Sequence, residues 1–236
     1  MQRLLVIPFL MAPLLAQSAG RIESRYSSKD FPLTADPTAT QWKKVKPVIA
    51  ETDRYGKPVA GHRTEIRSRW TKDHLYLLYV CPYEKLFLKP SPSTTTETNK
   101  LWDWDVAEVF IGTDLANIDR YRELQVSPQG EWVDLDIDRK NPRPEGGWGW
   151  NSGFTVKARI DKEKKVWYGE MKIPIRSLYA QGDKAAARVK AGDEMRINCF
   201  RIQGGPGQER VYVAWQPPNK PSYHTPEAFG RFILVK

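Results

Sequence analysis

Short segments in which apolar and polar side chains alternate recur along most of this chain, separated by turn-forming residues. Alternation with a period of two is typical of β-strands, and closely spaced short strands favour an all-β fold. Only Ile175–Ala180 has a helical pattern. The sequence therefore predicts an all-β protein, an antiparallel β-sandwich of about ten strands with one short helix. The predicted strands are Thr64–Trp70, His74–Cys81, Val106–Gly112, Tyr121–Ser127, Glu131–Asp138, Phe154–Ile160, Val166–Ile173, Met195–Ile202, Val211–Trp215 and Phe229–Val235.

The N-terminal segment has the composition of a secretory signal peptide. A basic start, Met1–Arg3, precedes the uncharged apolar run Leu4–Ala16, and small polar residues follow. The run is 13 residues long, whereas a bilayer-spanning helix needs about 20. We therefore expect a signal peptide over residues 1–19, export to the periplasm or the outside of the cell, and a single domain over residues 20–236 without a transmembrane segment.

The two cysteines leave one structural question open. In an oxidising compartment Cys81 and Cys199 either form a disulfide or remain two separate buried thiols on neighbouring strands. Two cysteines and three histidines are too few for a cysteine-rich zinc fold or a multi-histidine metal centre.

The formal net charge of +9 is dispersed along the chain, with no long basic run. A nucleic-acid-binding domain normally concentrates its basic side chains on one patch or helix, so nucleic acid is not an expected partner. Weak affinity for an acidic polysaccharide or for the cell envelope is more in keeping with this charge.

Trp102 and Trp104 lie in a polar and aromatic segment that leads directly into a predicted strand carrying Glu108. Glu108 shares its strand face with Val106 and Phe110, where a carboxylate needs a partner. One interpretation is that the indoles cap the core and that Glu108 pairs with an arginine. The other is a sugar site, because a pyranose stacks its C–H face on an indole and offers its hydroxyl groups to carboxylates and amides.

Several motifs, in the same order, resemble the family 9 carbohydrate-binding modules. The resemblance extends over roughly Trp42 to Lys236. Its strongest part is the W-x-x-D-x-x-E-V-F segment that begins at Trp102. The other matching segments are Trp70–Leu77, Tyr121–Gly130, the I-P-x-x-x-L turn Ile173–Leu178 and the H-x-P-E-x-F-G segment His224–Gly230.

This resemblance implies a β-sandwich that binds a glycan without cleaving it, between two stacked tryptophans. Trp102 corresponds to the first of these and Glu108 to the acidic hydroxyl-binding residue. Gln125 stands where some members have arginine. The second stacking residue is expected to be Trp215, with Trp150 as its rival.

The resemblance also implies structural calcium, and no other cofactor is expected. A polysaccharide-degrading enzyme is the macromolecular partner that it suggests. Trp104 adjoins the site and is a further sugar-binding candidate. Trp148 and Trp150 lie in a glycine-rich loop that either folds onto the sandwich as a lid or extends the sugar platform.

The predicted strand Glu131–Asp138 places Trp132, Asp134, Asp136 and Asp138 on one face. Asp134 and Asp136 are weak candidates for binding a hard cation. On a flat strand such residues lie about 7 Å apart, too far for three of them to bind one ion. The alternative is a polar face balanced by arginines.

Two other functions remain open at this stage. A glycoside hydrolase needs two carboxyl groups across a cleft, and Glu108 with Asp105 or Asp134 would be the candidates. A haem-binding electron-transfer module of a related sandwich class would take its axial ligands from the histidines and methionines. Those residues are His62, His74, His224, Met171 and Met195.

Overall fold

A computed structural model describes residues 20–180, 183 and 189–236 of the chain. The predicted signal peptide, residues 1–19, lies outside the described residues, and the limits of the single domain remain a prediction. Twelve strands are described: β1 Arg21–Tyr26, β2 Val48–Ala50, β3 Thr64–Trp70, β4 His74–Pro82, β5 Val106–Gly112, β6 Arg120–Val126, β7 Trp132–Asp138, β8 Thr155–Asp161, β9 Val166–Pro174, β10 Glu194–Gln203, β11 Val211–Ala214 and β12 Gly230–Val235. The α-helix α1 is Ile175–Leu178, and the 3-10 turns are Leu101–Asp103, Pro144–Gly147 and Pro226–Ala228.

The all-β prediction is confirmed, and the ten predicted strands correspond to β3–β12. The sequence did not predict β1 and β2. Strand β2 has three residues, too few for a pattern. Strand β1 buries only Ile22 and Ser24 and exposes charged residues between and after them, so its sequence lacks the apolar face that identifies a strand.

The described strands form one continuous sheet in the order β7-β6-β5-β10-β12-β1-β3-β4-β9-β8, with β11 paired to β10 and β2 paired to β3. Pairing is antiparallel except at β1, which lies parallel to both β12 and β3, so the prediction of a purely antiparallel fold is wrong at this strand. Hairpins between consecutive strands account for several of the antiparallel pairs, such as β3–β4, β5–β6 and β8–β9. Strand β1 has no hairpin partner, because it inserts between the last strand and β3.

The two halves of the sheet pack against each other across the main core. Tyr79 on β4 donates its hydroxyl hydrogen to the backbone oxygen of Glu108 on β5, at 2.8 Å, although these strands are far apart in the sheet. Leu77 and Met171 from one half share the core with Val109 from the other. The described strands thus form one continuous sheet whose two halves enclose the main core.

Two smaller apolar clusters cover the outer surface of the sheet. One cluster packs the segment between β1 and β2 (residues 27–47, the N-terminal lead-in segment) against β4. It contains Trp42, Val45, Tyr76 and Leu78. On the opposite half, a second cluster forms on the outer face of β5, β6, β7 and β10. It contains Leu101, Val106, Phe110, Tyr121, Val133, Leu135, Phe200, Ile202, Ala214, Tyr223 and Phe229.

Cys81 and Cys199 are two separate, buried free thiols, and burial raises the pKa of each to about 12. Of the two possibilities that the sequence leaves open, the structure therefore has the unpaired one. Within the described part of the chain, no helix is long and apolar enough to cross a membrane.

Candidate functional site

A cavity of about 810 Å³ opens on the outer face of the sheet, beside the second apolar cluster. Strands β5, β6, β7 and β10 contribute to its floor, and its walls come from β11 and from the segments that contain Arg54, Trp102 and Tyr223. Its lining residues are Arg54, Asn99, Lys100, Trp102, Glu108, Phe110, Glu123, Leu135, Ile137, Gly146, Ile202, Arg210, Tyr212, Pro221, Ser222, Tyr223 and His224.

The floor of this cavity contains two buried carboxyl groups joined by one amide. Glu108 pairs with Gln125, and Phe110 with Glu123, in the β5–β6 register, so alternation turns all four side chains to the cavity side. Gln125 Nε2 donates to Glu108 Oε2 at 3.0 Å and to Glu123 Oε1 at 2.6 Å. Glu108, Glu123 and Gln125 are 2%, 4% and 0% exposed, so the amide holds both carboxyl groups in a fixed position.

The electrostatics of the floor favour protonated carboxyl groups. Burial raises the pKa of Glu108 well above its usual value, and the nearby charge of Glu123 raises it further. Burial also raises the pKa of Glu123. Among the described residues, Glu108 Oε1 and Gln125 Oε1 have no hydrogen-bond partner. The floor thus offers free acceptor atoms and a carboxyl proton to a ligand.

Aromatic rings form the walls. Trp102 is half-buried in the 3-10 turn Leu101–Asp103. On the other side, Tyr223 stacks on Phe200 at 3.9 Å between ring centroids, and Tyr212 meets Tyr223 edge-on at 5.6 Å. The buried hydroxyl of Tyr223 has no partner among the described residues. Apolar faces and an unpaired hydroxyl therefore flank the polar floor.

Asp105 fixes the loop that carries Trp102. Its carboxylate accepts from the backbone nitrogens of Phe87, at 3.0 Å, and Gly204, at 2.8 Å. Arg210 also donates to the backbone oxygen of Trp102. These bonds connect the wall to two neighbouring segments, so that the indole has a defined position in the free protein.

Of the predicted sugar-binding residues, Trp102 and Glu108 line the cavity and Gln125 lies directly beneath it. Trp104 does not line it. A Cβ atom placed on Gly205 would lie 3.5 Å from the Trp104 ring and 3.5 Å from the Phe87 ring, so Trp104 packs beside the loop. A role for Trp104 in sugar contact stays a prediction.

Trp215 and Trp150 lie away from this cavity. Trp215 belongs to the main core, and its ring lies so close to Gly230 that a Cβ atom there would approach it to 2.5 Å. Trp150 lines a separate cavity, where the guanidinium carbon of Arg122 lies 4.7 Å from its ring centroid. Neither residue is placed opposite Trp102. Trp148 packs against the second apolar cluster.

The sequence reasoning missed Glu123, Tyr212, Tyr223, Arg54 and Arg210. For Glu123 a signal was present, because it lies two residues before Gln125 on the same strand and so faces the same side. The other four residues come from distant segments, and only the packing of the sheet brings them to Glu108.

The two proposed cation ligands differ in how well they suit that role. Asp136 forms ion pairs with Arg122 and with Arg143, whose Nη2 lies 2.5 Å away, so its charge is already balanced and it does not fit. Asp134 accepts from the backbone nitrogen of Ser152 at 2.7 Å and lies beside Glu97. In the described ranges no three acidic, histidine or cysteine side chains converge on one point.

The candidate residues for glycoside hydrolysis and for haem binding do not come together at one site among the described residues. Asp134 pairs with Leu124 in the β6–β7 register, and Leu124 is a main-core residue, so Asp134 lies on the face opposite Glu108. Asp105 is engaged by backbone nitrogens. The carboxyl group next to Glu108 is instead Glu123.

The candidate haem ligands also lie apart. Met171 and Met195 are fully buried in the main core. His62 contacts Gln203, and His74 lies 2.8 Å from Asp30. His224 borders the cavity, where its Nδ1 lies 2.7 Å from the hydroxyl oxygen of Tyr121.

Comparison with protein families matches residues 36–236 of the chain to the family described as carbohydrate family 9 binding domain-like. Among curated proteins, one from Arthroderma benhamiae, named an extracellular protein, is 23% identical over 185 residues. The match covers 73% of this chain and 79% of that protein.

Solved structures share the fold at low sequence identity. A family 9 carbohydrate-binding module from Caldicellulosiruptor kristjanssonii in complex with cellotriose aligns with a TM-score of 0.64 and 15% identity, covering 92% of this chain and 94% of that one. A similar module from that organism, in complex with glucose, has a TM-score of 0.62 and 15% identity, covering 91% and 95%. A putative carbohydrate-binding protein from Bacteroides uniformis has a TM-score of 0.68 and 14% identity, covering 92% and 100%.

Proposed function

The chain belongs to the carbohydrate family 9 binding domain-like family, and we propose that it binds a carbohydrate without cleaving it. The binding site is the cavity lined by Trp102, Glu108 and Glu123. The similar modules from Caldicellulosiruptor kristjanssonii were solved with glucose and with cellotriose, and these complexes support a saccharide as the ligand class.

The observation that carries this proposal is the buried floor of Glu108, Gln125 and Glu123. Buried polar atoms without partners are costly, and a ligand rich in hydroxyl groups satisfies them. A sugar hydroxyl both donates and accepts, so it can bind Glu108 Oε1 and the Tyr223 hydroxyl, two groups of the cavity lining left without a partner among the described residues. An apolar ligand would leave these atoms desolvated and unpaired.

Aromatic stacking is the second part of the proposal. Trp102 supplies one apolar face, and Tyr212 and Tyr223 line the same cavity. We assign to these tyrosines the role that the family resemblance gave to Trp215, because Trp215 is packed into the main core. Stacking of the C–H face of a sugar on such rings adds apolar burial to the hydrogen bonds of the floor.

Export, calcium and an enzyme partner extend the proposal. Residues 1–19 have the pattern of a signal peptide, and the similar Arthroderma benhamiae protein is named extracellular. We therefore propose a periplasmic or extracellular location.

For a structural calcium ion, Asp134 with Glu97 is the better of the acidic positions. A polysaccharide-degrading enzyme is the proposed partner, because a binding module brings such an enzyme to its substrate.

Calorimetric titration of the purified protein with glucose, cellotriose and a wider set of oligosaccharides tests this function. We expect saturable binding at one site and no release of reducing sugar over prolonged incubation. Binding that is absent across the set would contradict the proposal. Release of reducing sugar would replace it with the glycoside hydrolase alternative, in which Glu108 and Glu123 would supply the two carboxyl groups.

A further inference from the structure

We propose that the preferred ligand of this cavity is an acidic saccharide, a hexuronate, and that Arg54 and Arg210 bind its carboxylate. This inference rests on the proposed function, since it names the chemical class of the sugar held at the same site. It is carried by the positions and partners of the basic side chains that line the cavity.

Arg54 and Arg210 approach the same aromatic ring. The guanidinium carbon of Arg54 lies 4.0 Å from the ring centroid of Tyr212, and that of Arg210 lies 5.5 Å from it. Both arginines and the tyrosine line the cavity. Two guanidinium groups are thus held near one wall, where the edge of a stacked sugar ring would lie.

Neither arginine has a carboxylate partner among the described residues. Arg54 donates to the backbone oxygen of Pro221, and Arg210 to that of Trp102. Neither lies within ion-pair distance of an acidic side chain in the described part of the chain, unlike Arg139, which pairs with Asp119 and Glu227. Backbone oxygens carry only partial charge, so both guanidinium groups keep unused capacity to bind an anion.

Arg210 also has a hydrogen-bond donor that is not used within the described residues, which supports its role in binding an anion. Its Nε is buried and has no hydrogen-bond partner in the described part of the chain. A guanidinium group offers five N–H donors in a planar fork that matches the two oxygens of a carboxylate. A ligand carboxylate would satisfy the free donor and balance the charge at once.

The acidic groups near the cavity form no ion pair with Arg54 or Arg210 among the described residues. Burial raises the pKa of Glu108 and of Glu123, which lowers the negative charge of this buried pair, while the charge of Arg210 acts on Glu108 in the opposite direction. Asp53 precedes Arg54, but its Oδ1 accepts from the backbone nitrogens of Tyr55 and Lys57 at 2.8 and 2.9 Å. These two bonds hold Oδ1 of Asp53 in its own turn.

Lys100 adds a third cation to the rim. It is exposed, lines the cavity and precedes the turn that carries Trp102. It forms no ion pair among the described residues. Three cations around the cavity attract an anionic sugar and give a neutral sugar no comparable electrostatic gain.

The test compares hexuronates with their neutral parents by ligand-observed NMR titration, which detects millimolar binding. The matched pairs are the methyl glycosides of glucuronate and glucose, galacturonate and galactose, and mannuronate and mannose. We expect at least one uronate to bind tenfold or more tightly than its parent, with the difference decreasing as salt is added. Arg54→Gln should reduce that preference at least fivefold, whereas Arg54→Lys, which keeps the charge, should retain part of it.

The control is Arg25→Gln, an exposed position on β1 outside the cavity, which should leave the preference unchanged. Equal binding of uronates and neutral parents would overturn this inference and leave carbohydrate binding standing. A uronate preference that persists in both Arg54→Gln and Arg210→Gln would overturn the assignment of the two arginines. No binding of any sugar in the set would overturn both the inference and the function on which it rests.

Discussion

The side-chain amide of Gln125 donates to the carboxyl group of Glu108 at 3.0 Å, across a register pair of β5 and β6. This contact keeps Glu108 in position while leaving its other oxygen free of any described partner. Glu108 lines the cavity and this second oxygen is buried, so a ligand hydroxyl that reaches it would supply the missing hydrogen-bond partner. A substitution of Glu108 therefore affects two contacts: the bond of Oε2 to Gln125 and any bond of Oε1 to a ligand.

We predict that Glu108→Gln weakens sugar binding yet leaves it measurable, because the amide keeps the shape and one acceptor atom. Glu108→Ala should weaken binding further and also lower stability by about 1–3 kcal/mol, because the Gln125 amide loses a buried partner. Calorimetric titration measures the binding and thermal unfolding measures the stability. Wild-type affinity in Glu108→Ala would remove this residue from the site.

The stacking prediction concerns Trp102. Trp102→Ala should weaken sugar binding at least tenfold, which is about 1.4 kcal/mol or more, with little loss of stability, because the indole is half-buried at the cavity wall. Tyr26→Ala is the control, since that ring is exposed on β1 and does not line the cavity. Unchanged affinity with a lowered melting temperature would make Trp102 a structural residue instead.

The sequence predicts a strand well when at least one of its faces is apolar, and poorly when neither face is. Strand β4 is apolar on both faces and was predicted nearly to its ends, whereas the buried face of β1 holds only Ile22 and Ser24 and this strand was missed. The same rule explains the placement of Trp215. It follows β11 in the alternation that turns Val213 inward and Tyr212 outward, so an outward position belongs to Tyr212.

The candidate site was predictable only where its residues are local in sequence. Trp102 and Glu108 lie six positions apart in one motif, and both were predicted. Tyr212, Tyr223 and Arg54 reach the same cavity from distant segments. No spacing in the sequence indicates that convergence, because it depends on how β11 pairs with β10 and on the path of the loops that follow.

Glu97 should make the stability of the protein depend on pH. Burial raises its pKa from 4.5 to about 7, with a further contribution from Asp134. The folded protein therefore holds a proton that the unfolded chain releases, so stability is greatest below pH 4.5 and falls as the pH rises towards 7. Since Glu97 is partly exposed, we expect an effect on the order of 1 kcal/mol after solvent screening.

Glu97→Gln removes this titration and keeps an acceptor for the backbone nitrogen of Asp134, now 2.8 Å from Glu97 Oε1. Melting temperatures measured from pH 4.5 to 8 should fall less in this variant than in the wild type, by about 2–4 °C. Glu163→Gln, in an exposed turn, is the matched control. Parallel curves for wild type and Glu97→Gln would show that this carboxyl group does not titrate as argued.

The last prediction concerns Glu170, which binds the N-terminal lead-in segment to β9. Its Oε2 accepts from the backbone nitrogens of Thr34 and Ala35, each at 2.6 Å, and its Oε1 accepts from the indole nitrogen of Trp42 at 2.9 Å. Glu170 and Trp42 are both fully buried. Glu170→Ala would remove the acceptor of these three N–H donors and of the Thr34 hydroxyl, so we expect a loss of roughly 3–5 kcal/mol in the free energy of unfolding.

A double-mutant cycle separates the indole bond from the rest of this contact. Trp42→Phe removes one donor and should cost less in a Glu170→Gln background than in the wild type, because the glutamine amide presents its own N–H to the indole nitrogen or withdraws an acceptor from the lead-in segment. Urea unfolding measures all four proteins. Additive losses would mean that Trp42 stabilises the segment through packing alone, against Phe31 and Tyr76, and that the carboxylate acts only on Thr34 and Ala35.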